Sequence, residues 1–165
     1  LVDGSGLFVP NQMGSPAVWT PGKNQLVMTN IQLEDEQWSI HLLQVDVITE
    51  AITMLSGEGE EVDDNAPVWS PDGEWLAFGR KEPRTIMGRQ LWLMRPDGSD
   101  AHPVTTELKV HHGPFSWSPD GRYLLAKRYD LNELYAQPAI WLYDLETGEK
   151  REIASPGSNP IAWLP

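Results

Sequence analysis

The sequence predicts an all-β chain, a β-propeller of four-stranded antiparallel blades, about three complete and two partial. The first observation behind this is a repeated block. Pro67-Val68-Trp69-Ser70-Pro71-Asp72-Gly73 returns as Pro114-Phe115-Ser116-Trp117-Ser118-Pro119-Asp120-Gly121. A degenerate copy is Pro16-Ala17-Val18-Trp19-Thr20-Pro21-Gly22, and a truncated one is Pro160-Ile161-Ala162-Trp163. Trp19, Trp69, Trp117 and Trp163 are 50, 48 and 46 residues apart, a period that marks a propeller or solenoid array. The second observation is that turn signals punctuate each repeat roughly every ten residues, leaving room for four short strands. The third is the lack of helical periodicity, with residues 131–134 sufficient for a single turn. An immunoglobulin-like sandwich also uses short strands, but it would not repeat a Trp-Ser-Pro-Asp-Gly block.

The whole chain, 1–165, reads as one propeller domain or a propeller fragment. Residues 1–15 form a partial blade, in which Asp3-Gly4-Ser5-Gly6 is a hairpin signal matching Pro96-Asp97-Gly98-Ser99. The chain therefore enters at the third strand of a blade. The first full blade spans about 16–65, with strands at 17–19, 25–31, 38–46 and 49–55. Trp38, Ile40 and Leu42 share one face of its third strand, the period of a half-buried strand. The second blade spans 67–113, with strands at 68–70, 75–80, 90–95 and 101–105. The third spans 114–159, with strands at 115–118, 123–129, 139–144 and 150–154. Residues 160–165 open a further blade. Trp69 and Trp117 end their innermost strands and are expected to be buried between neighbouring blades, each removing roughly 150–250 Å² from water.

The block makes physical sense as a hairpin turn. Pro71 and Pro119 hold φ near −65°, which suits the second position of a turn. Asp72 and Asp120 accept hydrogen bonds from nearby backbone N–H groups, and Gly73 and Gly121 supply positive φ. The first blade has Thr20-Pro21-Gly22-Lys23 instead, and the missing Asp predicts a looser turn. Because these Asp residues recur from blade to blade, they read as turn formers and not as metal ligands or catalytic acids.

Ser-Pro-Asp-Gly after an aromatic residue and before an apolar strand, twice at one period, resembles the TolB-type propeller repeat, a relative of the WD40-like blade. The likeness covers nearly the whole chain. It implies a bacterial, periplasmic or extracellular location and a non-catalytic scaffold that binds a protein or peptide. Similar blades also form the propellers of prolyl-oligopeptidase-type serine peptidases and of sugar-acid lyases. The alternative is therefore the propeller portion of an enzyme whose catalytic part lies outside this chain.

Composition narrows the partners. The net charge is −12, which argues against binding nucleic acid through phosphates and favours basic partners. There is no cysteine, so disulfides, Cys-ligated zinc and thiol catalysis are excluded. No apolar run reaches the ~18 residues of a membrane-spanning helix, so no membrane insertion is expected. The chain starts at Leu1 without a Met or a signal peptide, which reads as a processed chain or a piece of a longer one. Three blades and two fragments do not close a ring, because no second strand joins the terminal pieces. Further chain is expected to complete it, with head-to-tail self-assembly of copies as the alternative.

No catalytic constellation is present: there is no His-Glu-x-x-His, Gly-x-Ser-x-Gly or phosphate-loop pattern. No catalytic, cofactor or metal residue is assigned. His111-His112 reads as part of a solvated loop before an inner strand, His41 as a satisfied or solvent-facing strand residue, and His102 as exposed. The acidic run Glu58, Glu60, Glu61, Asp63 and Asp64 lacks calcium-loop spacing and reads as a solvated connection. Function is expected instead on the loops that join the second strand to the third and one blade to the next. These are 32–37, 82–89, 130–137, 57–65 and 107–113. Their candidate partner contacts are Arg84, Arg89, His111, His112, Tyr129 and Tyr135, since Arg and aromatic residues dominate binding hot spots.

Overall fold

Antiparallel pairing of consecutive strands builds three four-stranded units. The first is β1 (Val18–Trp19), β2 (Gln25–Glu34), β3 (Gln37–Asp46) and β4 (Ile52–Met54). The second is β5 (Asp63–Trp69), β6 (Leu76–Lys81), β7 (Gln90–Met94) and β8 (His102–Pro103). The third is β9 (Val110–Trp117), β10 (Tyr123–Asp130), β11 (Ala139–Asp144) and β12 (Lys150–Ala154). The computed structural model describes residues 17–34, 37–57, 61–133 and 137–154. Among these residues there is no helix. The expected partial blades at 1–15 and 160–165, with Trp163, lie outside the described residues. A single parallel bridge, Ile40 to Asp63, joins β3 to β5, so the first two units share one sheet and the third is a separate sheet. Neither sheet closes on itself.

Two innermost strands run further than the sequence reading allows. The sequence reading starts these strands at 68 and 115, just after Pro67 and Pro114, and proline gives no donor to a ladder. Each sits instead at a bulge, where the pairing of β5 with β6 and of β9 with β10 shifts register. Ala66 at φ 53° and Gly113 at φ 121° take the left-handed backbone there, and the strand continues on the far side. Residues 63–65 and 110–113 are therefore strand, not loop. Residues 32–34 and 37 of the expected loop are likewise strand, with β2 and β3 paired from Gln25↔Asp46 to Glu34↔Gln37. β4 is shorter than expected because the Asp46 carboxylate accepts from the backbone N–H groups of Ile48 and Thr49 at 3.0 and 2.9 Å, holding a turn where the strand was to begin.

The units are joined face to face. Trp69 is buried with Val27, Leu42, Leu76, Phe78 and Met94, between the first and second units. Trp117 is buried with Ala77, Leu93, Phe115 and Leu124, between the second and third. Its Nε1–H donates across the boundary to the Val68 carbonyl at 3.0 Å. Trp19 holds the same place in the first unit but is 62% exposed, because no unit stands before it among the described residues.

The turns at the foot of each unit follow one plan. Ser70 Oγ donates to Asp72 Oδ1 at 2.5 Å and accepts from the Trp75 N–H at 2.9 Å. Ser118 does the same with Asp120 and Tyr123 at 2.5 and 2.8 Å. Gly73 and Gly121 sit at φ 73° and 74°. In the first unit the backbone closure is longer, Lys23 N–H to Thr20 O at 3.2 Å against 2.9 Å for Gly73 to Ser70. The buried Thr20 hydroxyl has no protein partner.

Two outcomes follow in urea denaturation. Trp117→Ala is expected to cost about 3–5 kcal/mol, whereas Trp19→Ala stays within about 0.5 kcal/mol. Equal losses would contradict the wedging of Trp117 between units. Gly22→Asp combined with Lys23→Gly rebuilds the turn of the other units around the Thr20 hydroxyl and should stabilise by about 0.5–1.5 kcal/mol.

Candidate functional site

Strand direction alternates within each unit, so the β2–β3, β6–β7 and β10–β11 connections emerge at the same end as the connections between units. Arg89, just before β7, organises this end. Gly79 on β6 makes room for it: a Cβ there would stand 2.3 Å from Arg89 Cδ. The guanidinium Nη2 donates to both oxygens of Asp63, on β5, at 2.8 and 2.9 Å. Nη1 reaches His111 Nε2 on β9 at 3.4 Å, and the Arg89 backbone N–H reaches His111 Nδ1, also at 3.4 Å. A neutral imidazole accepts at only one of its two nitrogens, so these contacts compete. His111 pairs with Tyr129 across β9 and β10, their rings edge to face at 5.6 Å. Burial and then the Arg89 charge push the His111 pKa down to about 4, against the opposing pull of Asp63. Arg89 Nε is buried without a protein partner.

Three of the six sequence-derived contacts, Arg89, His111 and Tyr129, therefore meet in one cluster across the boundary of the second and third units. Tyr135 lies outside the described residues. Arg84 stands apart, ion-paired with Glu61 at 3.1 Å in an exposed position. Asp63 was missed as a site residue because it read as one member of an acidic run. A signal was available: Asp63 and His111 each lie six residues before the block tryptophan of their repeat.

His112 is not a surface residue. It is fully buried, its Nδ1 faces the Arg89 carbonyl at 3.3 Å, and its ring meets Tyr143 edge to face at 5.8 Å. Burial holds its pKa down to about 4, against the pull of Glu107. The 3.8 Å approach of Nε2 to Glu107 is thus no ion pair at neutral pH. Glu107 is engaged elsewhere, accepting from Arg128 at 2.8 Å and from Lys150 at 2.6 Å. Burial pushes its pKa up, but these two partners outweigh burial and hold it below the usual range. The same repeat positions in the second unit are Asp64 and Arg80, which form a buried bidentate pair at 2.8 and 2.7 Å. In both units the arginine lies over a tryptophan of the third strand, Arg80 over Trp92 at 4.7 Å and Arg128 over Trp141 at 4.8 Å. Where His112 replaces the carboxylate, Arg128 turns to Glu107 of the inter-unit connection and ties that connection down. Gln90 holds the same segment, its amide reaching the Glu107 and Val110 carbonyls at 3.0 Å each.

His41 is buried and satisfied, with Nδ1 at 3.1 Å from the Ser56 carbonyl and Nε2 at 2.9 Å from Ser39 Oγ. Among the described residues no group of three His, Asp or Glu side chains is arranged to hold a metal ion. The same end of the strands also exposes Leu33, Trp38, Ile86, Leu108 and Leu131.

No family model matches the chain, and no curated protein matches it. Solved structures do. TolB from Acinetobacter baumannii aligns over 90% of this chain and 34% of its own length, with 13% identity and a TM-score of 0.65. An oligogalacturonate lyase in complex with manganese aligns over 78% of this chain and 38% of its own, with 24% identity and a TM-score of 0.58. The acylaminoacyl peptidase of Pyrococcus horikoshii aligns over 87% and 25%, with 19% identity and a TM-score of 0.59. At these identities the likeness shows the fold: an all-β chain with propeller-like neighbours. The chain spans half or less of the length of the structures it matches.

The two histidines set a pH dependence. Each is protonated at about 4 in the fold, against 6.5 ordinarily. Between those values the unfolded chain binds more protons, so stability is full above about pH 6.5 and falls as pH drops toward 4. For the fully buried His112 the loss is on the order of 2 kcal/mol. Urea midpoints at pH 7 and pH 5 measure it, and His112→Gln should flatten the difference. Asp144, held near 2 chiefly by Arg122, adds a second loss only below its ordinary value of 3.8.

Proposed function

We propose that the chain is a non-catalytic propeller segment that binds a protein or peptide at the end of the strands carrying Asp63, Arg89, His111 and Tyr129. The observation that supports this reading most is the Arg89 cluster. A cation tied to a partly exposed carboxylate, with an imidazole and a phenol beside it, is held by two different units on rigid strands. Arg and aromatic groups on such a frame are the residue types that anchor partners. Exposed aliphatic side chains, Ile86, Leu108 and Leu131 among them, lie at the same end of the strands. Further chain completing the ring and a periplasmic or extracellular location belong to the same reading, through the TolB resemblance.

A second reading is the propeller portion of an enzyme. It is favoured by the lyase and the peptidase among the similar structures. A Gly-x-Ser-x-Gly hydrolase domain in the full reading frame, beyond residue 165, would decide for a peptidase. Metal-dependent release of an unsaturated uronide would decide for a lyase.

Selection of a random peptide library on the purified protein tests the first reading. Enriched peptides should lose roughly tenfold or more in affinity on Arg89→Met or Tyr129→Ala. They should bind Thr147→Ala, at the opposite end of the strands, as they bind the parent. Peptides that ignore the first two substitutions would overturn it.

A further inference from the structure

The Arg89 cluster holds more hydrogen-bond donors than acceptors. A guanidinium has five N–H groups, and a neutral imidazole has one donor and one acceptor. Nη2 is engaged by the Asp63 carboxylate, and Nε is buried without a protein partner. Nη1 meets only His111 Nε2 among the described residues, at 3.4 Å. At the other nitrogen of the same ring, the Arg89 backbone N–H meets Nδ1, also at 3.4 Å. His111 is neutral above about pH 4, so it accepts from one of these donors and turns its own N–H on the other. With the proton on Nδ1 the conflict lies at the backbone. With the proton on Nε2 it lies at Nη1.

Only the second conflict can be relieved from outside. The Arg89 backbone is fixed to β9, since the His112 N–H donates to the Arg89 carbonyl at 2.7 Å. Nη1 and Nε2 lie instead on side chains that reach the surface. The side chains of Arg89 and Asp63 are 15% and 31% exposed, and His111 and Tyr129 are half-buried. When Nδ1 accepts from the backbone, Nη1–H and Nε2–H are two donors 3.4 Å apart. That separation lets one carboxylate take a hydrogen bond from each. A charged donor favours a carboxylate over a neutral carbonyl, because charge-assisted hydrogen bonds are roughly twice as strong.

The surroundings admit such a group. Beside the cluster Glu61, Asp63 and Glu82 are balanced by Lys81, Arg84 and Arg89, and Lys109 offsets Asp130. An anion therefore meets no opposing excess from these charges. Apolar surface lies close by. The Leu131 N–H donates to the Lys109 carbonyl at 2.8 Å, and Leu108 is bridged to Met87. The exposed Leu108 and Leu131 thus stand where β9 begins and β10 ends, on the strands that carry His111 and Tyr129. A chain bearing the carboxylate has aliphatic side chains to rest on.

We infer that Arg89 Nη1 and His111 Nε2–H together hold a carboxylate of a bound peptide, with an aliphatic neighbour of that carboxylate on Leu108 or Leu131. The carboxylate is the C-terminal one or that of an Asp or Glu side chain. This rests on the reading that this end of the strands binds peptides.

Three acetylated peptides test it by NMR titration of the labelled protein. They are Gly-Ser-Gly-Ser-Leu-Leu with a free C-terminus, the same peptide amidated, and amidated Gly-Ser-Gly-Glu-Leu-Leu. At least one of the two carboxylate peptides should bind roughly tenfold or more tightly than the neutral one, and which of them does so identifies the source of the carboxylate. Binding should shift His111 to the Nε2–H tautomer, read from its imidazole nitrogen signals. Arg89→Met should reduce the carboxylate peptide to the affinity of the neutral one. Should that variant fail to fold, the tautomer of the unaltered protein still decides. Equal affinity of all three peptides, no binding by either carboxylate peptide, an unchanged tautomer, or undiminished binding by Arg89→Met would each overturn the proposal. If library-selected peptides depend on Arg89 and Tyr129 yet tolerate amidation and lack acidic residues, only the carboxylate assignment falls. If they ignore both substitutions, the binding reading falls with it.

Discussion

Face-to-face burial of indole rings between successive four-stranded units is the contact on which this chain rests. β1 and β8 are two residues long and β4 is three, too short to persist unless a neighbouring sheet covers them. Trp69 and Trp117 insert at the two boundaries with aliphatic residues from both sides. Pro21 lies 3.4 Å from where a Cβ of Gly73 would stand, and Pro71 3.8 Å from that of Gly121. Each turn thus rests on the turn before it. Stability of this kind is a sum over nearest neighbours, so the exposed Trp19 face is unspent contact surface of the same type.

A polar arrangement stiffens the opposite end. Arg80 and Arg128 occupy the same place in their units and lie over equivalent tryptophans. They are neutralised differently. Asp64 meets Arg80 from the adjacent strand, while the neutral His112 leaves Arg128 to recruit Glu107 from the inter-unit connection. A guanidinium largely withdrawn from water is costly to leave unpaired, so with imidazole in place of carboxylate the partner of the half-buried Arg128 comes from a different segment. The consequence is positional. The connection that leads into His111 is held by Arg128, Lys150 and Gln90, and the Arg89 cluster stands on a fixed frame. A binding surface held this way loses little freedom on meeting a partner.

The architecture places charge and apolar surface side by side at one end of the strands. Exposed Leu33 and Trp38 are at odds with ordinary solvation of a hairpin, whose alternation should leave polar residues outside. Their face is continuous with the core contact between the first two units. The long hairpin therefore extends a packing surface beyond what the other described residues cover.

Period, turn chemistry and strand alternation were all readable along the chain, because each depends on residues close in sequence. Spacing of the block tryptophans marked the units, Ser-Pro-Asp-Gly marked the turns, and the absent Asp after Pro21 marked the turn that leaves Thr20 without a partner. Strand ends beyond Pro67 and Pro114 were not readable, since a bulge there depends on the neighbouring strand accepting a shifted register. The candidate site was legible only in part. Arg89, His111 and Tyr129 could be named by residue type and loop position, but Asp63 joined them, and His112 left the surface, through contacts that cross from one unit to the next. Composition and local spacing settle what each four-stranded unit is. Which side chains meet between units depends on the docking of one twisted sheet on another, and that geometry has no signature within either repeat taken alone.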